Sequence, residues 1–207
     1  ETISKIGLEV CDQHGDVEST SEILFNVLGA SLKEQRRFDE AVVVYEQSLS
    51  SRTLHNPLVK ALSLRLIGES LNQKKDYKNA LEKFEGSLIF AQESGDVNIQ
   101  AYALQSIGDI YRDQGRNEDA IKKYDEAIKM AVCSTDLSSK SSFLHSIGWS
   151  YGRIGRHDKT LEIFQQCLKL RKEELHDVIG VAEILNEIAW VYSTKYSDVM
   201  CNFILEL

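Results

Sequence analysis

The sequence predicts an all-α chain, an α-solenoid of antiparallel helix-turn-helix repeats, and three observations carry that prediction. Pro57 is the only proline in 207 residues that are rich in Ala, Leu, Ile, Glu and Lys, a composition that favours helices over strands. Residues 106–128, SIGDIYRDQGRNEDAIKKYDEAI, are written again with drift as SIGWSYGRIGRHDKTLEIFQQCL at 146–168, forty positions later. What persists between copies is small and apolar, and it falls at helical offsets of three and four.

Each first helix is anchored on an aliphatic-small pair: Leu28-Gly29, Ile67-Gly68, Ile107-Gly108, Ile147-Gly148 and Ile188-Ala189, at intervals of 39, 40, 40 and 41. Four before the small residue stand Phe25, Leu64, Leu104, Leu144 and Leu185, and three after it Leu32, Leu71, Tyr111, Tyr151 and Tyr192. That is one apolar stripe, with a glycine where a neighbouring helix approaches. Short turns follow at Arg36-Arg37, Lys74-Lys75, Gly115-Arg116 and Gly155-Arg156. Each second helix then reads small, aromatic, small: Ala41/Tyr45/Ser48, Ala80/Phe84/Ser87, Ala120/Tyr124/Ala127 and Thr160/Phe164/Cys167. Cys167 therefore reads as a small packing residue.

Helix punctuation marks the joints. Gly15-Asp16 and Gly95-Asp96 pair a left-handed stop with an N-cap acceptor, Asn56-Pro57 places the proline in the first turn, and Thr135-Asp136 and His176-Asp177 keep the aspartate. The expected organisation is a single array over 1–207: a half repeat at 1–15, repeats at 16–55, 56–95, 96–135 and 136–176, and a partial or divergent repeat at 177–207. Val199 and Phe203 echo the second-helix spacing loosely, with Glu206 in place of the second small residue. Neither end carries an evident polar cap, so the chain reads as an excerpt of a longer array whose apolar tail, VMCNFILEL, either packs as a last helix or self-associates.

Composition narrows the function classes. Twenty-four Lys and Arg against thirty-two Asp and Glu give a net charge of −8, the wrong sign for an affinity built on phosphates; no nucleic-acid partner is expected. No apolar run approaches the ~20 residues of a membrane helix. Cys11, Cys133, Cys167 and Cys201 form no CxxC pair, which fits a reduced, cytoplasmic protein. Enzyme motifs are absent: no GxSxG, no phosphate-cradling glycine loop and no HExxH. Cys11 and His14 have metal-ligand spacing but no second pair to join, so no metal or cofactor is expected.

The pattern Leu-x2-Ile-Gly-x2-Tyr at 104–111 and 144–151, with Ala-x3-Tyr/Phe behind it, resembles the tetratricopeptide repeat, over essentially the whole chain. Copies of forty exceed the usual ~34 residues and look like those of LGN/Pins-type scaffolds, kinesin light chains and bacterial peptide-sensing regulators. The resemblance implies a right-handed superhelix whose first helices line a concave groove holding a partner peptide or helix. It makes the protein a non-catalytic protein-protein interaction scaffold; the alternatives are a regulatory sensor of a short signalling peptide, or a structural component of a larger assembly that uses its edges and ends.

On that implied groove, three residues before each small anchor, come Asn26, Arg65, Gln105, His145 and Asn186, all hydrogen-bonding. Immediately after the anchor come Ala30, Glu69, Asp109, Trp149 and Trp190, and one turn further stand Lys33, Asn72, Arg112, Gly152 and Ser193. Arg65 with Glu69 and Asp109 with Arg112 are spaced to satisfy each other, for ~0.2–0.5 kcal/mol per exposed pair. Trp149 and Trp190 lie off the packing stripe and suit binding anchors. The expected peptide contacts are Asn26, Arg65, Gln105, Arg112, His145, Trp149, Asn186 and Trp190. The carboxylate clamp for chaperone C-termini is not expected, since Asn26 is paired with Ala30 and Arg65 with Glu69. Cations gather at the intra-repeat turns (Arg36, Arg37, Lys74, Lys75, Arg116, Arg153, Arg156) and acids at the opposite edge, as helix-end electrostatics favours.

Overall fold

In a computed structural model, the backbone is described over residues 18–50 and 56–205 and the side chains over 25–49 and 56–195. The half repeat at 1–15, Cys11, His14, Gly15-Asp16 and Glu206 lie outside the described residues, as do the side chains of Val199, Cys201 and Phe203. Among the described residues the chain is all-α, with helices α1 (Glu18–Glu34), α2 (Phe38–Ser50), α3 (Pro57–Gln73), α4 (Tyr77–Ser94), α5 (Val97–Asp113), α6 (Asn117–Cys133), α7 (Leu137–Arg153), α8 (His157–Glu173) and α9 (Val178–Leu205). They form two compact units, residues 1–110 and 111–207, divided within α5.

The turn inside each helix pair is the same device four times. Arg36, Lys75, Gly115 and Gly155 hold left-handed φ values of 59°, 63°, 77° and 80°. The following amide reaches back to the helix: Arg37 N donates to Leu32 O at 2.9 Å, Asp76 N to Leu71 O at 3.0 Å, Arg116 N to Tyr111 O at 2.8 Å and Arg156 N to Tyr151 O at 3.0 Å. This closure satisfies the last carbonyls of each first helix and fixes the reversal of direction. Between pairs the expected caps form: Leu58 N donates to Asn56 Oδ1 at 3.0 Å, Ile99 N to Asp96 Oδ1 at 2.8 Å, Ser138 N to Asp136 Oδ1 at 3.0 Å and Gly180 N to Asp177 Oδ1 at 2.9 Å.

Packing follows the small-aromatic code. In residues 1–110, Gly29 lies under the Tyr45 ring and Gly68 under Phe84, where an added Cβ would stand 2.9 Å from the ring. Tyr45 and Phe84 are buried, as are the alanines beside them. Ser87 Oγ donates to Ala61 O at 2.8 Å, tying α4 to α3. Ala61, Ala91 and Ile99 form a buried cluster with Leu58, Leu62 and Phe90 packed against it.

In residues 111–207, Gly148 lies under Phe164, and Cys167 is fully buried with Sγ donating to Ser141 O at 3.4 Å. The thiol thus stands where Ser87 stands in the earlier pair, and burial raises its pKa, as suits an inert packing group. Arg171, 8% exposed, donates through Nε to Ser141 Oγ at 2.8 Å and through Nη1 to Glu183 at 3.0 Å. Tyr151 hydroxyl donates to Asp125 at 2.7 Å, its ring 5.6 Å from that of Tyr124.

Two sequence expectations are refined. The turn edges are not purely basic: Arg37 pairs with Glu40, Lys74 with Asp39, Arg116 with Asp119, and Lys195 with Asp158. The last helix also does not turn back. α9 runs 28 residues, straight through the place where the other pairs reverse, so 199–205 continue a first helix rather than starting a second.

Candidate functional site

In residues 1–110 the polar positions of three first helices converge on one carboxylate. Arg65 and Glu69, one turn apart on α3, form an ion pair, and Lys33 of α1 binds the other oxygen of Glu69. The Arg65 guanidinium lies 4.8 Å over the ring of Tyr102 on α5. Tyr102 hydroxyl donates to Glu69; burial above all, and then the Glu69 charge, raise its pKa. Tyr45 is pushed up to about 12 by burial, helped by Glu69 and opposed by Arg65. Beside this cluster is a polar cavity of about 150 Å³ lined by Lys33, Glu69, Asn72, Gln73, Phe84, Tyr102, Gln105, Ser106 and Asp109.

Of the expected contacts in this unit, Arg65 and Gln105 are brought to one place, Gln105 on the cavity wall and Arg65 against its tyrosine. Asn26 is half-buried and does not line the cavity. Tyr102 was not foreseen. It sits three residues before Gln105, between the buried Ala101 and Ala103, and that spacing is the signal that would have found it.

In residues 111–207 the two tryptophans meet: Trp149 on α7 and Trp190 on α9 have ring centroids 5.0 Å apart at 34°. Gly152 stands beside the pair, and an added Cβ there would lie at ordinary contact distance, 3.7 Å, from Trp190. Trp190 is 40% exposed, and Asn186 one turn before it is exposed too. His145, one turn before Trp149, has its ring 5.9 Å from Phe164, and its buried Nε2 makes no hydrogen bond. Burial lowers its pKa, with Arg171 adding to the shift and Glu187 and Glu183 opposing it. Arg112 is engaged inside the unit, donating to Tyr124 hydroxyl and Ser150 Oγ, each at 3.3 Å, and pairing with Asp113 at 2.9 Å.

No group of three His, Cys, Asp or Glu side chains among the described residues is placed to hold a metal ion. No helix among them is long and apolar enough to cross a membrane. A larger cavity of about 280 Å³ opens over Val132, Leu144 and Leu170, and none of the sequence-predicted residues lines it.

Family models described as tetratricopeptide repeat match residues 24–55, 59–131 and 141–174, together more than half of the chain. The chain belongs to the tetratricopeptide-repeat family. No curated protein sequence matches it significantly. Among solved structures, BtubC (BKLC) from P. vanneervenii has a TM-score of 0.75 at 18% identity, over 93% of this chain and 81% of that one. The nearly identical TPR-like repeats assigned to a Podosopora anserina kinesin light chain give 0.67 at 14%, over 90% and 93%. A Rap protein complexed with competence and sporulation factor gives 0.66 at 14%, over 93% of this chain and 54% of that one. These likenesses are of fold. A tetratricopeptide repeat presents its first helices as a recurring surface, which is why positions separated by a whole repeat, such as Lys33 and Glu69, meet in space.

Proposed function

We propose that this tetratricopeptide-repeat protein is a non-catalytic interaction module that binds an extended segment of a partner protein on the faces of its first helices. The observation that carries this reading is the polar cavity beside Glu69. Asn72, Gln73 and Gln105 offer carboxamides, each both donor and acceptor, which match the alternating N–H and C=O of an extended peptide backbone. Glu69, held by Lys33 and Arg65, contributes a fixed charge rather than a mobile one. In the other unit the tilted pair Trp149 and Trp190, with Asn186 and His145 on the same faces, suits an apolar anchor side chain.

A test should spare Arg65, because replacing it strips Glu69 and Tyr102 of a partner. The chain is used for affinity capture from a lysate beside two variants, Asn72→Ala with Gln105→Ala, and Trp190→Ala, all matched in helicity by circular dichroism. Loss of the same partner by either variant supports the reading; a partner set unchanged by both removes it. A second reading, a sensor of a short signalling peptide attached to an effector, is supported by the fold shared with Rap bound to competence and sporulation factor, of which this chain spans about half the length.

A further inference from the structure

The joint ahead of α9 departs from the joint ahead of α5. The two share a register: Ile99 and Gly180 each donate a backbone N–H to the capping aspartate three residues earlier, Asp96 or Asp177, and Ser87 and Cys167 reach the carbonyls of Ala61 and Ser141. Where residues 1–110 place the buried cluster Ala61, Ala91 and Ile99, residues 111–207 place Ser141, Arg171 and Gly180, all three buried as well. The three changes fit one another. A Cβ at Gly180 would stand 2.3 Å from Arg171 Nη1, so the guanidinium lies where an isoleucine side chain would be, and the Ser141 hydroxyl supplies an acceptor that alanine lacks.

The guanidinium makes a bridge of that space. From α8, Arg171 donates through Nε to Ser141 on α7 at 2.8 Å and through Nη1 to Glu183 on α9 at 3.0 Å, with Asp177 at 3.9 Å. A planar fork donating in two directions fixes the angle between its acceptors, whereas alanine against isoleucine tolerates sliding. Seven residues separate Glu183 from Trp190, which puts both on one face of α9, and eight separate Ser141 from Trp149 on α7. The bridge thus links α7 to α9 about two turns before the level at which the indoles meet. Packed apolar groups in place of a buried charge and its partners are commonly neutral or stabilising, so what such a bridge adds is geometry.

We infer that Arg171 is a positioning residue of the tryptophan pair: its bridge sets the rotation of α9 against α7, and with it the tilt and separation of Trp149 and Trp190. The inference rests on the peptide-binding reading for the use made of the pair, and on the joint alone for its geometry.

Trp149 and Trp190 are the chain's two tryptophans, so the exciton couplet of paired indoles in circular dichroism reads their arrangement, and its loss in Trp149→Phe assigns it. One variant combines Ser141→Ala, Arg171→Ala and Gly180→Ile, rewriting the joint in the letters of residues 61, 91 and 99. The expected result is a urea midpoint at or above the parent's with the couplet reduced by more than half. Glu183→Ala, at a side chain 56% exposed, cuts the bridge without touching the core, and should lower the couplet with helicity unchanged, while Glu183→Gln, which keeps an acceptor for Nη1, retains it. A full couplet in Glu183→Ala or in the folded triple variant overturns the inference, as does equal loss in Glu183→Gln and Glu183→Ala, or a parent chain without a couplet. A parent that shows the couplet but captures no partner removes the peptide-binding reading and leaves this one standing.

Discussion

Lys33 and Glu69 stand thirty-six positions apart in the chain, on α1 and α3, and meet as an ion pair in which the carboxylate is also held by Arg65. Both members are largely shielded, at 22% and 15% side-chain exposure, so solvent screens the pair less than a surface one. Glu69→Ala should destabilise residues 1–110 by about 1–2 kcal/mol in urea unfolding, and by less once Lys33 is already Ala. Additive single effects would mean the two charges do not couple.

Gly148 is a packing contact rather than a turn. The Phe164 ring occupies the space of a Cβ, and Ile163 closes the other side at 3.4 Å. Gly148→Ala is expected to cost about 1–3 kcal/mol, seen as a lower thermal midpoint, with partial recovery when Phe164→Leu makes room.

The left-handed turns differ between the two units. Lys75 holds φ 63° with a side chain, whereas Gly155 holds φ 80° without one. Lys75→Gly should therefore stabilise by up to about 1 kcal/mol, and Gly155→Ala should destabilise by about the same amount. A destabilised Lys75→Gly in chemical denaturation would assign that lysine a contact stronger than its backbone strain.

His145 should make stability pH-dependent. Its folded pKa is lowered, mainly by burial, so the unfolded chain takes up the proton first as pH falls. Stability from this group is complete above the ordinary histidine value of about 6.5 and is lost as pH drops below it. Between about pH 7.5 and about pH 5.5 the urea midpoint should fall further in the parent than in His145→Gln. Parallel titrations of the two would remove His145 as the cause.

The repeat, its turns and its caps were legible in the sequence because each rests on local chemistry. Asn56, Asp96, Asp136 and Asp177 needed only the next three residues to act as caps. Packing partners were legible where a column repeated, as with Gly68 and Phe84. The site was legible only in part. Arg65 and Glu69 were seen as a pair, but Lys33 joining them across a repeat, and Tyr102 beneath the guanidinium, depend on how successive helices stack, which a column of letters does not encode. Arg112 belonged to the polar column, yet Tyr124 and Ser150 lie within its reach and take its donors inward. α9 carries Tyr196 in the column where Arg36, Lys75, Gly115 and Gly155 take the left-handed turn, and it runs on as helix; since Arg36 and Lys75 turn without glycine, that column of letters does not encode the difference.

At two joints a side chain ties one repeat to the next through the backbone itself. Gln100, in the first turn of α5, donates through Nε2 to Ala91 O at the end of α4, at 3.1 Å. Lys140, in the first turn of α7, does the same to Val132 O at the end of α6, at 3.0 Å. The end of a second helix thus takes a side-chain donor from the repeat after it, at Ala91 O in addition to the backbone donor Asp96 N at 3.0 Å. Each of these two joints loosens when the helix after it melts, so amide exchange at the end of α4 should report the state of α5, and at the end of α6 that of α7.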